Sequence, residues 1–177
     1  MTDAGAPMDF ASFRARIESP SLRALADHWD KVRGRRRMPS WAHLKTSALE
    51  PHMTKIWAFN YDRSSGEFGG RFAGSAIMVD LARASWAYRC ASSILPLSSR
   101  PPRPFARTVS EPACARWSGK LFKVGDQIIE GERICLPMSR AAEHADGVLG
   151  ASSYDYPVLR TPDRLELIHD IADWCKV

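Results

Sequence analysis

Four prolines fall within the thirteen residues Leu95 to Arg107, LPLSSRPPRPFAR. Each proline fixes its own φ, lacks a backbone N–H and biases the residue before it away from the helical region. No regular helix or central strand runs through such a stretch, so residues 95–107 read as a loop or an extended insertion. The chain therefore has to build its regular elements in two blocks, one on each side of this break.

The first block opens with helical spacing. Residues 1–8 are small and polar and read as a frayed end. Phe10, Phe13 and Ile17 recur at helical intervals and predict a short helix. Ser19-Pro20 reads as N-cap and N1, where the missing N–H of proline costs nothing. Leu22, Leu25, Ala26, Trp29 and Val32 then form one apolar stripe, and Gly34 fits a C′ residue, so the spacing predicts a helix over 20–33. Met38-Pro39-Ser40 ends the pattern, and Ser40 and Ser47 are placed to cap short helical turns over 41–45 and 48–51.

Lys55 to Tyr61 (KIWAFNY) is apolar on both parities and reads as a buried strand. DRSSG follows as a turn, and Glu67 to Ala73 (EFGGRFA) alternates with Phe68, Gly70 and Phe72 on one face, which completes a β-hairpin. Gly69, Gly70 and Gly74 leave room for close approach of a backbone or a ligand. Residues 75–95 read as helical turns, clearest over Leu81 to Trp86.

In the second block Ser110-Glu111-Pro112 reads as a helix start, over 111–118. KLFKV (120–124), a turn at Gly125-Asp126, IIEGERICLPM (128–138) and Gly147 to Tyr154 read as three strands. Thr161-Pro162-Asp163 starts a helix over 162–175, with Leu165, Leu167, Ile168, Ile171 and Trp174 as its apolar residues. Consecutive strands split by a helical block imply an α+β fold: a five-stranded antiparallel sheet flanked by helices, with extra N-terminal helices and a C-terminal helix. The expected organisation is a flexible N-terminus and short helix at 1–19, a sheet domain at 20–160 with its insertion at 95–107, and the C-terminal helix at 161–177.

At 177 residues, 45% hydrophobic and 25% charged, the composition is that of an ordinary globular domain and excludes wholesale disorder. No apolar run is long enough for a membrane-spanning helix, and MTDAGAPMDF has neither the basic nor the apolar segment of a secretory signal. The expected location is the cytoplasm. The formal charge of +5 is concentrated in two groups, Lys31, Arg33, Arg35, Arg36 and Arg37, and Arg100, Arg103 and Arg107. A phosphate or nucleic-acid footprint is one reading; a solvated helix end is preferred, because no helix-turn-helix, zinc-finger or RNP pattern accompanies the charge.

Nothing in the sequence assembles a catalytic centre. Cys90, Cys114, Cys135 and Cys175 include no CxxC, and His28, His43, His52, His144 and His169 include no HExxH, so no metal site is expected. There is no GxSxG elbow, Walker A or dinucleotide-binding glycine pattern. Cys135 with His144 reads as a core thiol beside a loop histidine rather than a nucleophile and base. No catalytic residue is assigned, and no cofactor; for haem, only His144 and Cys90 stand as axial candidates.

Several short runs, in order along the chain, resemble a PAS-like family of short bacterial proteins found largely in alphaproteobacteria. They are Trp29 with Gly34-Arg35 and Arg37-Met38-Pro39-Ser40; Leu49 and Pro51; Arg71-Phe72-Ala73-Gly74; Gly131-Glu132-Arg133 leading into Ile134-Cys135-Leu136-Pro137; and Asp146 to Gly150. The Gly-x-Asp-Leu-Thr-Gly segment that usually follows the family's second strand is replaced here by Met78 to Tyr88, without glycine. The resemblance implies a PAS fold and a stand-alone sensory or regulatory module with no catalytic output, acting on a signalling partner or a small ligand. It implies Trp29, Arg37, Pro39, Arg71, Gly74, Glu132 and Pro137 as structural signature residues, with Arg37 pairing a carboxylate such as Glu132 to pin the N-terminal helices to the sheet. A ligand pocket would be lined by Phe59, Phe68, Phe72, Met78, Trp86, Ile134, Leu136 and Val148; the competing expectation is that these fill the core. The resemblance also implies a homodimer, since helices flanking such a core often mediate dimerisation; the alternative is that the apolar stripes of helix 20–33 and of the C-terminal helix bury against the protein's own sheet.

Overall fold

A computed structural model describes residues 8–76, 103–124, 127–141, 144–155, 165–167 and 171–177. Helix α1 spans Phe10–Arg16 and α2 spans Pro20–Arg33. A 3₁₀ turn at Trp41–His43, helix α3 at Thr46–Leu49 and a second 3₁₀ turn at Glu50–His52 lead to strand β1, Ile56–Asp62, and β2, Glu67–Ala73. Helix α4, Arg103–Ser110, precedes β3, Ala113–Val124, β4, Gln127–Met138, and β5, Gly147–Asp155. Two short strands end the chain, β6 at Leu165–Leu167 and β7 at Ile171–Lys176.

The strands form one antiparallel sheet in the order β2-β1-β5-β4-β3-β6, and β7 also pairs with β3. The fold is α+β, with more strands than the five expected. The difference lies at the C-terminus, where residues 165–167 and 171–176 are strands, not part of a helix over 162–175. Strand β3 is twelve residues long and needs a partner on its outer edge. β7 covers its first half and β6 its second. The pleat turns Asp173 and Cys175 to one face and Trp174 to the other, and all three are buried.

The expected helix over 111–118 is instead a strand from Ala113 onwards. Ala113, Cys114, Ala115, Arg116, Trp117 and Ser118 are all buried, because both faces of β3 are covered. A short run buried on both sides has no period that distinguishes strand from helix. The helix lies earlier, over 103–110, so the expected loop 95–107 is helical from Arg103 onwards. Pro104 is tolerated because it sits in the first turn, where backbone N–H groups have no intrahelical acceptor. The helical turns expected beyond residue 76, the rest of the proline-rich segment and the Gly125-Asp126 turn lie outside the described residues. Among the described residues, no helix is long and apolar enough to cross a membrane.

The two faces of the sheet are covered differently. One carries Ile56 and Ala58 of β1, Gly147, Leu149 and Ala151 of β5, Glu132, Ile134, Leu136 and Met138 of β4, Cys114 and Arg116 of β3 and Asp173 of β7. The N-terminal helices lie on it, burying Phe13, Ile17, Leu22, Leu25, Ala26 and Trp29 completely or nearly so. The indole N–H of Trp29 donates to the Pro137 carbonyl at 3.0 Å. The other face carries Trp57, Phe59, Phe68, Val148, Arg133, Cys135 and Trp117 and packs against α4.

The expected alternation in β2 fails at one position. Ala58 pairs with Phe72, but Phe59 pairs with Gly70, so Arg71 is the extra residue of a β-bulge. A one-residue slip reverses the parity beyond it. Phe68 therefore faces the α4 side with Tyr61, and Phe72 faces the side of the N-terminal helices with Ala58.

Candidate functional site

The bulge builds a partly open groove on the face of the N-terminal helices. Because it adds a residue, two consecutive side chains, Arg71 and Phe72, reach the same groove, which strict alternation forbids. The floor is Ile56 and Ala58 of β1 with Leu149 of β5, and the roof is Trp41, Leu44, Leu49 and Met53 from the segment that links α2 to β1. The volume is about 470 Å³, within the range of small-molecule sites.

Local sequence sets the roof. Ser40 caps the first 3₁₀ turn, its Oγ accepting from the Ala42 N–H at 3.2 Å. Trp41 then lies directly on Gly147, where a Cβ would collide with the indole ring and the Phe59 carbonyl. The Arg71 guanidinium stands 4.6 Å from the centre of the Trp41 ring and donates to Asn60 Oδ1 at 3.3 Å. Phe72 is exposed at the groove. The indole N–H of Trp41 is buried and donates no hydrogen bond.

A second constellation lies on the same face. Arg116, 4% exposed, reaches Glu132 at 2.5 Å, Asp173 at 2.9 Å and Glu18 at 2.9 Å. Glu132 also accepts from the backbone N–H groups of Glu18, at 2.9 Å, and Ser19, at 2.7 Å. Asp173 accepts a further bond from Arg16 at 2.5 Å. Burial, the largest single influence, lowers the Arg116 pKa, but hydrogen bonds to Glu132 and Asp173 and the attraction of their charges together outweigh it and raise the pKa. This clamp joins the α1–α2 junction to β3, β4 and β7. Glu132 thus pins the N-terminal helices, but its partner is Arg116 and not Arg37. Arg37 is exposed and donates to the Val177 carbonyl at 2.9 Å; it follows the C-terminal end of α2, whereas Glu132 binds the residues just before the N-terminal end of that helix.

The three described cysteines, Cys114, Cys135 and Cys175, are buried in the core. Burial pushes the Cys135 thiol up to about 12. Cys114 pairs in register with Cys175; burial raises the Cys114 thiol, while the hydrogen bond from Cys114 lowers that of Cys175. His144 is exposed on its loop, and Cys90 lies outside the described residues. No group of His, Cys, Asp and Glu suited to hold a metal occurs among the described residues.

The expected pocket residues do not share one cavity. Phe59, Phe68 and Val148 are buried on the α4 face, and Ile134, Leu136 and Phe72 are on the opposite face, where only Phe72 lines the groove. Met78 and Trp86 lie outside the described residues. Of the signature residues, Trp29, Pro39 and Pro137 are buried, and Pro39 accepts from the Ser139 N–H at 3.1 Å beside the Ser40–Ser139 bridge. Gly74 packs so tightly on the Met53 and Thr54 carbonyls that a Cβ has no space; at Gly69 and Gly70 a Cβ would meet nothing. Arg71 alone among the signature residues belongs to the groove.

Other charged groups are engaged locally. Arg33 pairs with Asp30 at 2.7 Å and stacks on Phe10 and Trp29, and Arg107 lies over Trp174. Arg35, Arg36 and Arg37 are exposed. Of the two helices that the homodimer expectation invoked, α2 buries its stripe against the chain's own sheet, and the described residues of the second, 165–167 and 171–176, are strands.

Sequence reasoning missed the roof residues Trp41, Leu44, Leu49 and Met53, and the pair Arg116 and Asp173. For the pair a signal exists: one charge inside each of the otherwise apolar runs ACARW and IADWC, which a buried strand tolerates only with a partner. No family model, curated protein or solved structure matches the chain.

Proposed function

We propose that this chain is a PAS-like regulatory module that works by binding a small ligand or a protein partner, without catalytic output. The observation that carries the proposal is the strand order β2-β1-β5-β4-β3, fully antiparallel, with the long connection bearing α4 between β2 and β3. The motifs quoted from the resemblance support it by their positions: Trp29 and Pro39 meet the end of β4 and the residue beyond it, and Glu132 meets the start of α2. The groove at Arg71 gives such a module a place to receive a ligand.

The test is native mass spectrometry of the protein isolated under non-denaturing conditions from the organism that encodes it. The expected spectrum contains a stoichiometric small-molecule adduct or a complex with a second protein. A bare chain mass in every growth condition overturns the proposal.

A further inference from the structure

We propose that the groove between residues 41–53 and the β2-β1-β5 end of the sheet binds a small carboxylate with an apolar body, held at its head by Arg71. The proposal rests on the reading of the chain as a binding module and names the ligand class of one site. Eight of the nine side chains that line the groove are apolar or aromatic, and Arg71 is the one charged group among them. The site therefore offers water-excluding surface for a hydrocarbon or ring and a single positive charge for a head group.

Arg71 is prepared for that role. The bulge directs it into the groove, the Trp41 ring supports one face of its guanidinium, and Asn60 takes one N–H. No carboxylate lies within ion-pair distance of it among the described residues. A planar fork with free donors suits a carboxylate. A second observation points the same way: Trp41, a lining residue, carries a buried N–H with no acceptor, a state that folded proteins rarely leave unmet. A cationic ligand is disfavoured by Arg71, and a neutral one leaves its charge without a counter-ion. At about 470 Å³ the groove takes a small molecule, not a folded element.

The experiment uses the full chain and three probes of equal length: decanoate, decanol and decyltrimethylammonium. Calorimetry gives the affinities, and backbone amide NMR shifts give the location. The expected result is that decanoate binds at least about tenfold more tightly than decanol, in line with a charge-assisted hydrogen bond, with shifts confined to 41–53, β1, β2 and the start of β5. R71Q, an exposed position that leaves the fold intact, removes that preference and leaves decanol binding within about twofold. L44W fills the groove and weakens both probes. R36Q, exposed and remote, changes neither.

Equal affinity for decanoate and decanol, an R71Q protein that keeps the preference, or shifts on the α4 face each overturn the proposal. So does binding to phosphatidylglycerol vesicles, or to a peptide with an apolar C-terminal residue, without binding of monomeric decanoate. If native mass spectra show a partner or another ligand while decanoate fails to bind, this proposal falls and the regulatory reading stands.

Discussion

Replacing Arg116 by methionine tests whether the clamp holds the N-terminal helices to the sheet. Methionine keeps an unbranched apolar stem as far as the position of Nε, so the change removes the charge with the least loss of packing. It strips Glu132 and Asp173, 6% and 4% exposed, of their shared buried counter-ion. Removing one partner of a buried ion pair costs about 3–5 kcal/mol. Glu132 retains two backbone N–H donors and Asp173 retains Arg16, so the lower half of that range, about 3–4 kcal/mol, is expected. For a chain of this length that lowers Tm by about 6–16 °C. The assay is urea denaturation of the wild type, R116M, E132Q and the double variant. In the R116M background Glu132 is a buried charge without its counter-ion, so neutralising it costs less there. The double variant is expected to lose about 1–3 kcal/mol less than the sum of the singles. E132Q is further expected to raise hydrogen exchange at the Glu18 and Ser19 amides, which it ceases to bind as an anion. A loss below about 1 kcal/mol for R116M, or strict additivity, refutes the clamp.

The remaining predictions concern packing, pH and thiol reactivity. Gly150→Ala places a methyl group against the Trp57 indole ring, which is fixed by a hydrogen bond from its N–H to Ser152 Oγ at 2.9 Å. Overpacking there should cost about 1–3 kcal/mol in thermal or urea melts, and an unchanged Tm would show that Trp57 is free to move aside. Burial, then Lys31 and His52, lower the pKa of His28 from 6.5, so the folded protein resists a proton that the unfolded chain accepts. Stability is therefore full above pH 6.5 and declines as pH falls from there to the lower folded value; urea melts across this window should show a flatter slope for His28→Leu, and equal slopes reject the assignment. Cys135, raised to about 12 by burial, should resist iodoacetamide in the native protein and react after unfolding, as mass spectrometry of its peptide will show; native labelling at that residue contradicts the buried placement.

What the sequence discloses here is what is decided locally. Helix α2 begins and ends as its residues require, because Pro20, the stripe from Leu22 to Trp29 and Gly34 at φ 57° act within one stretch of chain. The β1-β2 hairpin is equally local, but its bulge is not: Arg71 looks like any alternating residue until β1 fixes the register. Placing Phe72 with Phe68 follows correctly from a period of two and fails because one residue was inserted in that period. The C-terminal strands are misread for a related reason. The spacing of Leu165, Ile168 and Ile171 satisfies a helix, and only the open edge of β3, fifty residues earlier in the chain, makes a strand the better partner. The groove draws its walls from residues 41–53, 56–58, 71–72 and 149, so no window of sequence contains it.

The clamp and the groove divide the labour of a single covering segment. From residue 18 to residue 40 that segment is tied to β4 and its extension: Glu18 and Ser19 to Glu132, Trp29 to Pro137, Pro39 to Ser139. These ties are charge-assisted or buried hydrogen bonds, and breaking any one of them leaves a polar group unsatisfied in the interior. Beyond Ser40 the bonding changes. The hydrogen bonds of the first turn, Ala42 to Ser40, His43 to Ser40 and Leu44 to Trp41, all stay within the segment, as does Met53 to Glu50. What holds residues 41–53 over the sheet is apolar contact, centred on Trp41 above Gly147. A ligand that enters there exchanges one apolar contact for another and breaks no buried polar bond, so the roof can adjust while the clamp keeps α1 and α2 in place. On the proposal that the groove takes a ligand, the expected conformational response is therefore in residues 41–53, which make fewer hydrogen bonds to the sheet than the clamped segment before them.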